Sequence, residues 1–281
     1  MSAVWFNGRI FEGLISLDPR DRGLLLGDGL FETFAVMNRI AMWRTEHLAR
    51  LTAAARELGI SCDPAAIDAA IDRVLGQSRG GFEVLRLSLT RGAVPRGFAF
   101  DGEAPGLLIT LAPMPLRRLF QPVRLVTAAI RRNEFAPSSR LKTLSQIDDI
   151  AAARQAAAAG ADDALMLITA GQAACSTISN LFLVKGAELI TPSLDQGILP
   201  GIMRAALLQL APALGLTAIE RPVPPVELAS AGAVFLTNSL RFIRPVEILD
   251  GEPLGRQPLD SFIKALSLNA RQQCGRDPRS I

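Results

Sequence analysis

The stretch Arg140-Leu141-Lys142-Thr143-Leu144-Ser145-Gln146-Ile147-Asp148-Asp149-Ile150 holds one of three lysines in a chain whose Lys and Arg together number 30. The others are Lys185, in the turn-like Val184-Lys185-Gly186-Ala187, and Lys264, on the outer face of a C-terminal helical pattern. Arginine carries the positive charge everywhere else. An arginine serves on a solvated surface as well as a lysine does, but it stays protonated and cannot add to a carbonyl. A lysine kept in such a chain therefore invites a chemical reason. Lys142 is the candidate nucleophile; the plain alternative is a charge at the start of the helix that follows.

Around that stretch, 123–129 reads as a strand and 145–159 as an alanine-rich helix closed by Gly160. Residues 164–168, 180–184 and 188–191 read as further strands. Gly197-Ile198-Leu199-Pro200-Gly201-Ile202-Met203-Arg204 leads into a helix to 214. A glycine turn feeding a helix presents backbone N–H groups and the positive end of the helix dipole, which suits a phosphate. Val234-Phe235-Leu236-Thr237-Asn238-Ser239 is an apolar strand running into hydroxyl and amide groups that either cap backbone or hold an anion.

Towards the N-terminus, Asn7-Gly8 between apolar runs is a hairpin signal. The segment 18–23 reads as a loop. Gly27-Asp28-Gly29-Leu30-Phe31-Glu32-Thr33-Phe34 combines a glycine turn with an apolar strand. From Thr45, taken as N-cap, Leu48, Leu51, Ala55 and Leu58 follow a helical period to Gly59, with Arg50 on that helix as a solvated charge or an anion ligand. Residues 64–75 read as a helix, and 83–90 and 107–111 as strands flanking the polar loop Arg91-Gly92-Ala93-Val94-Pro95-Arg96-Gly97-Phe98. Loops of this kind commonly carry binding groups. The proline-rich run at 113–118 marks a boundary, giving a small N-terminal α/β domain over 1–115, a linker over 116–121 and a larger domain over 122–281.

The chain has 281 residues, 49% of them hydrophobic and 20% charged, which suits a folded enzyme with a sizeable core. A net charge of +3 with dispersed basic residues argues against nucleic acid. No apolar run reaches membrane-spanning length and the first residues lack a signal-peptide pattern, so a cytoplasmic location is expected. Cys62, Cys175 and Cys274 have neither disulfide nor metal spacing, and His47 is the only histidine, so no metal is expected.

The ordered motifs resemble the class IV aminotransferase group, pyridoxal-phosphate enzymes of fold type IV. That group includes branched-chain aminotransferases, D-amino-acid aminotransferases and 4-amino-4-deoxychorismate lyases. The resemblance spans nearly the whole chain: Trp5-Phe6-Asn7-Gly8, Gly27 to Thr33, His47-Leu48-Ala49-Arg50-Leu51, Thr90-Arg91-Gly92, Leu141-Lys142-Thr143-Leu144, Ser179-Asn180-Leu181-Phe182, Gly201-Ile202-Met203-Arg204 and Thr237-Asn238-Ser239-Leu240. It implies a mixed α/β fold of two domains, the larger one barrel-like, and a homodimer. It implies that Lys142 forms a Schiff base with pyridoxal 5'-phosphate. Arg50, the backbone at Ile202 and Met203, Asn238 and Ser239 would hold the cofactor phosphate, and Leu199 would pack on its ring. A lysine amine of lowered pKa is a fitting nucleophile and, once displaced, a fitting proton carrier.

One position departs from the family pattern. Five residues before Asn180, where the family has a glutamate beside the pyridine nitrogen, this chain has Cys175. Either the ring is a weaker electron sink here, or Cys175 is a small buried residue and another acid has taken over. On the substrate side, Phe31 would line the site and Arg96 matches the arginine placed near the substrate carboxylate in the D-amino-acid and lyase branches. Phe98 stands where those branches have a histidine or a tyrosine. The expectation is an aminotransferase of the D-amino-acid type acting on amino acid and 2-oxo acid pairs. The alternatives are a 4-amino-4-deoxychorismate lyase and a cofactor-binding protein with little turnover.

Overall fold

The computed structural model describes residues 3–95, 97–98, 104–115, 119–255 and 257–280. The chain divides into two compact units, one of residues 1–116, 141–145 and 270–281, the other of residues 117–140 and 146–269. Among the described residues the strands form two sheets, of six and nine strands.

The first unit runs β1 (Ala3–Phe6), β2 (Arg9–Phe11), α1 (Arg22–Leu26), β3 (Gly29–Met37), β4 (Ile40–Ala41), α2 (Arg44–Glu57), α3 (Pro64–Leu75), β5 (Phe82–Thr90) and β6 (Gly106–Pro113). Its antiparallel sheet has the order β2-β1-β6-β5-β3-β4. The β1–β2 hairpin turns at Asn7-Gly8, both with positive φ, as that dipeptide permits. Alternation along β3 sends Leu30, Phe34 and Val36 into a core completed by Leu51 and Ala55 of α2 and Ile67, Ile71 and Val74 of α3. Two local expectations fail. The segment expected to be loop at 18–23 contains the start of α1, capped by the Asp21 carboxylate, which accepts from the Gly23 and Leu24 N–H groups. Thr45 is not the cap of α2: Trp43 takes that place with φ +52°, and its N–H donates to Gln273 Oε1 at 2.6 Å.

The second unit runs β7 (Val123–Arg132), α4 (Pro137–Arg140), α5 (Ile147–Ala158), β8 (Asp163–Ile168), β9 (Ala173–Ser176), β10 (Asn180–Lys185), β11 (Glu188–Thr191), α6 (Ile202–Leu210), β12 (Thr217–Glu220), α7 (Pro225–Ala229), β13 (Ala233–Asn238), β14 (Phe242–Leu249), β15 (Glu252–Pro253) and most of α8 (Asp260–Cys274), whose last residues belong to the first unit. The pairings β10-β13-β14-β7-β8-β9 return to β10 and close a barrel, with β11 and β12 extending the sheet. Leu125, Leu165, Leu181, Leu183, Leu236 and Val246 fill it. Met166, Cys175, Ile198 and the alanines of α5 form a second cluster. Helix α5 starts later than expected because 141–145 is used as a strand-like segment. Helix α6 stops at Leu210 because Pro212 has no N–H to continue the ladder.

Candidate active site

In the first unit, the residues after Leu141 run antiparallel to the start of β3. The Phe31 N–H donates to the Lys142 carbonyl at 2.9 Å, the Leu144 N–H to the Gly29 carbonyl at 2.9 Å, and Leu30 bridges to Thr143. Lys142 and Phe31 thus stand opposite each other across a strand pair, and Lys142 Nζ lies 4.1 Å from the Phe31 ring centroid. Arg86, two residues along β5 from the partner of Phe31, brings its guanidinium to 3.9 Å from the same centroid. These are cation–π distances. The lysine is therefore fixed by backbone pairing and an aromatic face, the kind of rigid support a reacting group needs.

The opposite face of β3 carries Glu32 into the core, where it is only 1% exposed. Its carboxylate accepts from Arg50 Nε at 2.8 Å and Arg50 Nη2 at 2.7 Å, and lies 2.6 Å from His47 Nδ1. Burial alone would raise the Glu32 pKa, but the Arg50 charge and the His47 and Arg50 hydrogen bonds outweigh it and hold the group at about 2. Burial lowers the His47 pKa, against the pull of Glu32. A neutral His47 facing an ionised Glu32 donates from Nδ1. Its Nε2 is then a buried acceptor, with no hydrogen-bond partner among the described residues. The sequence reading missed Glu32. The available signal was an acid inside the apolar run Leu30-Phe31-Glu32-Thr33-Phe34, followed by His47 and Arg50 three residues apart on one helix face.

In the second unit, register places Cys175 opposite Asn180 and Asn180 opposite Thr237, a row across three strands. Asn180 Nδ2 donates to the Leu199 carbonyl at 2.9 Å. A Cβ added to Gly201 would lie 1.9 Å from Asn180 Oδ1, so any larger residue here would have to push the Asn180 amide aside. Gly201 is the N-cap of α6 and no side chain among the described residues caps it, which leaves Ile202 and Met203 in the anion-binding first turn. Asn238 does not reach out with its amide. Its Oδ1 accepts from the Leu240 and Arg241 N–H groups at 3.0 and 2.8 Å and its Nδ2 donates to Ser179 Oγ at 2.9 Å, building the turn that carries half-buried Ser239. Asn180 is the second residue the sequence reading left without a role.

Cys175 is buried, and burial pushes its thiol up to about 11 against the pull of Arg132, so it is uncharged at neutral pH. Of the substrate-side residues, Phe31 is buried beside Lys142 and Phe98 is 88% exposed. Arg96 lies outside the described residues.

The amino-transferase class IV family model matches residues 29–249. The chain is 31% identical to a D-alanine aminotransferase of Bacillus licheniformis over 90% of each chain. It is 30% identical to a putative branched-chain-amino-acid aminotransferase of Methanocaldococcus jannaschii over 94% of this chain and 93% of that one. A putative 4-amino-4-deoxychorismate lyase structure from Legionella pneumophila superposes with a TM-score of 0.86 at 32% identity, covering 91% of this chain and 96% of the other. With the closed barrel, the paired lysine segment and the uncapped helix already in place, the chain belongs to the class IV aminotransferases, enzymes that use pyridoxal phosphate.

Proposed function

We propose that this chain is an aminotransferase of the D-amino-acid type, moving an amino group from an amino acid to a 2-oxo acid. The observation that carries this reading is the placement of Lys142: an amine held by strand pairing against the buried Phe31 ring. The residues fit pyridoxal phosphate. No side chain among the described residues caps the first turn of α6, a Cβ at Gly201 would displace the Asn180 amide, and His47 Nε2 and Thr237 Oγ1 are buried without a hydrogen-bond partner among the described residues. When bound, the cofactor supplies an aldehyde that condenses with amines and a ring that draws electron density from the substrate's α-carbon.

The chain's own residues supply the rest. Lys142 would hold the aldehyde and would be the group that moves a proton at the substrate's α-carbon. Ile202 and Met203 would offer backbone N–H groups to the phosphate and Ser239 a hydroxyl, and by the resemblance Arg50, aligned by Glu32, would add a guanidinium. Leu199, its carbonyl tied to Asn180, would pack on the ring. Phe31 and Phe98 would meet the substrate, and by the family resemblance Arg96 would take its carboxylate. Incubating the holoenzyme with pairs of D- or L-amino acids and 2-oxo acids tests the assignment, and transfer from D-amino acids is the expected result.

A second reading, a 4-amino-4-deoxychorismate lyase, is favoured by the 32% identity to the Legionella structure over nearly its whole length. Release of pyruvate and 4-aminobenzoate from aminodeoxychorismate without any 2-oxo acid supports that reading and displaces the first. Binding of the cofactor with no spectral response to any amino donor supports a protein of little turnover. We also infer a homodimer in the cytoplasm. Helix α1 presents Leu24, Leu25 and Leu26 at 61%, 61% and 50% exposure, an apolar patch that a second copy would cover. Its three cysteines are free thiols, as suits a reducing compartment. Sedimentation of Leu25→Glu as a monomer, beside a dimeric wild type, supports the pairing; a monomeric wild type refutes it.

A further inference from the structure

One residue of the first unit grips the polar loop after β5 at two points. The Arg22 N–H donates to the Gly92 carbonyl at 3.0 Å, beside the bridge from Asp21 to Ala93. Further along, Arg22 Nη1 donates to the Gly97 carbonyl. Arg22 begins the short helix α1, yet it is only 6% exposed. A guanidinium so buried needs a counter-charge. Asp28 supplies it, accepting from Arg22 Nε at 2.7 Å. The same carboxylate accepts from Arg91 Nε at 2.9 Å, and Arg91 also donates to the Leu58 and Gly59 carbonyls at 2.7 and 2.9 Å. We propose that Arg22, aligned by Asp28, is the positioning residue of the substrate loop: by holding Gly92 and Gly97 it sets the affinity for the substrate's carboxylate. That this loop meets substrate rests on the aminotransferase reading above, in which Arg96, next to Gly97 in the sequence, would take that carboxylate.

Both gripped positions are glycines, which have no side chain with which to anchor themselves. Gly92 has φ +83°, and a Cβ added to it would lie 2.0 Å from the Ala104 carbonyl oxygen, so the backbone there has one path. The start of the loop and the start of α1 share a frame. Asp21 Oδ1 caps the Gly23 N–H at 2.8 Å, while its Oδ2 accepts from Thr90 Oγ1 at 2.7 Å, and Thr90 Oγ1 accepts from the Gly92 N–H at 3.2 Å. Asp28 immediately precedes β3, the strand whose Phe31 backs Lys142. The residues that hold the loop are thereby continuous with those that hold the amine. Arginine is needed at position 22 because its planar fork serves Asp28 through Nε and Gly97 through Nη1 at once; a lysine keeps the charge and loses the fork.

The test is Arg22→Lys, made in the full chain loaded with pyridoxal phosphate. Amide hydrogen exchange over 92–98, read by mass spectrometry, is expected to quicken about tenfold as the charge-assisted tie to Gly97 is lost. KM for both the amino acid and the 2-oxo acid is expected to rise about tenfold, with kcat and cofactor affinity within about twofold of the wild type. Unchanged exchange over 92–98 overturns the inference. So does a fall in kcat and cofactor affinity with KM unmoved, the pattern of a merely structural role. Should Arg22→Lys fail to fold, Thr90→Val loosens the Gly92 end alone and is expected to raise the same KM values by a smaller factor, with Thr90→Ser restoring them; KM unmoved in Thr90→Val overturns the inference. A wild type that transfers no amino group defeats the proposed function instead. The exchange comparison needs no substrate, so it still decides whether Arg22 holds the loop.

Discussion

Glu32 is the residue on which the first unit's polar core depends, and replacing it by glutamine keeps its shape while removing its charge. The carboxylate is held at about 2 against an ordinary 4.5. At roughly 1.4 kcal/mol per pH unit, that difference corresponds to about 3 kcal/mol of folding stability. The sign follows from the direction of the change. A depressed carboxylate contributes fully above its unfolded pKa, and the contribution is lost as pH falls from 4.5 towards about 2. Glu32→Gln also leaves Arg50 without its buried counter-charge, a loss of about 3–5 kcal/mol for such pairs. The assay is denaturant unfolding of both proteins at neutral pH and through the acid range. The variant should be less stable by about 3 kcal/mol at pH 7, and the gap should narrow in acid as the wild type protonates. Parallel acid profiles for the two proteins would refute the assignment of that carboxylate as the anchor of Arg50.

Gly201→Ala forces a Cβ to within 1.9 Å of Asn180 Oδ1. Breaking the Asn180–Leu199 contact costs about 1–3 kcal/mol, so affinity for pyridoxal phosphate, followed by absorbance titration, should fall about tenfold or more. Asp28 accepts from Arg22 Nε at 2.7 Å and Arg91 Nε at 2.9 Å. Burial raises the Asp28 pKa, but the two arginines outweigh it and bring the group below its ordinary value. Asp28→Asn should therefore lower the unfolding free energy at neutral pH by about 3 kcal/mol, with the difference shrinking in acid. A neutral effect would mean that the arginines find other partners.

Local structure was legible where a single turn or period decides it. Asn7-Gly8 announces its hairpin, and the spacing of Leu48, Leu51 and Ala55 announces α2. The four-residue strand β9 was not legible, because Ala173-Ala174-Cys175-Ser176 has no alternation and is a strand only through pairing with β8 and β10. Nor was the start of α5, since the pairing of 141–145 with β3 joins residues more than a hundred apart. Lysine scarcity pointed to Lys142 without any structure. Glu32 in the first unit and Asn180 in the second each act through contacts between elements distant in sequence, and they appeared only once the strands were in register. Asn238 reads the same from sequence whether it binds an anion or builds a turn, and its two short N–H contacts show the turn.

The proposed activity depends on the amine of Lys142. Reducing the holoenzyme with borohydride and mapping its peptides by mass spectrometry should find the pyridoxyl label on the peptide that contains Lys142 and on no other. Label on Lys185 or Lys264, or no label on a chain that still binds the cofactor, would contradict it.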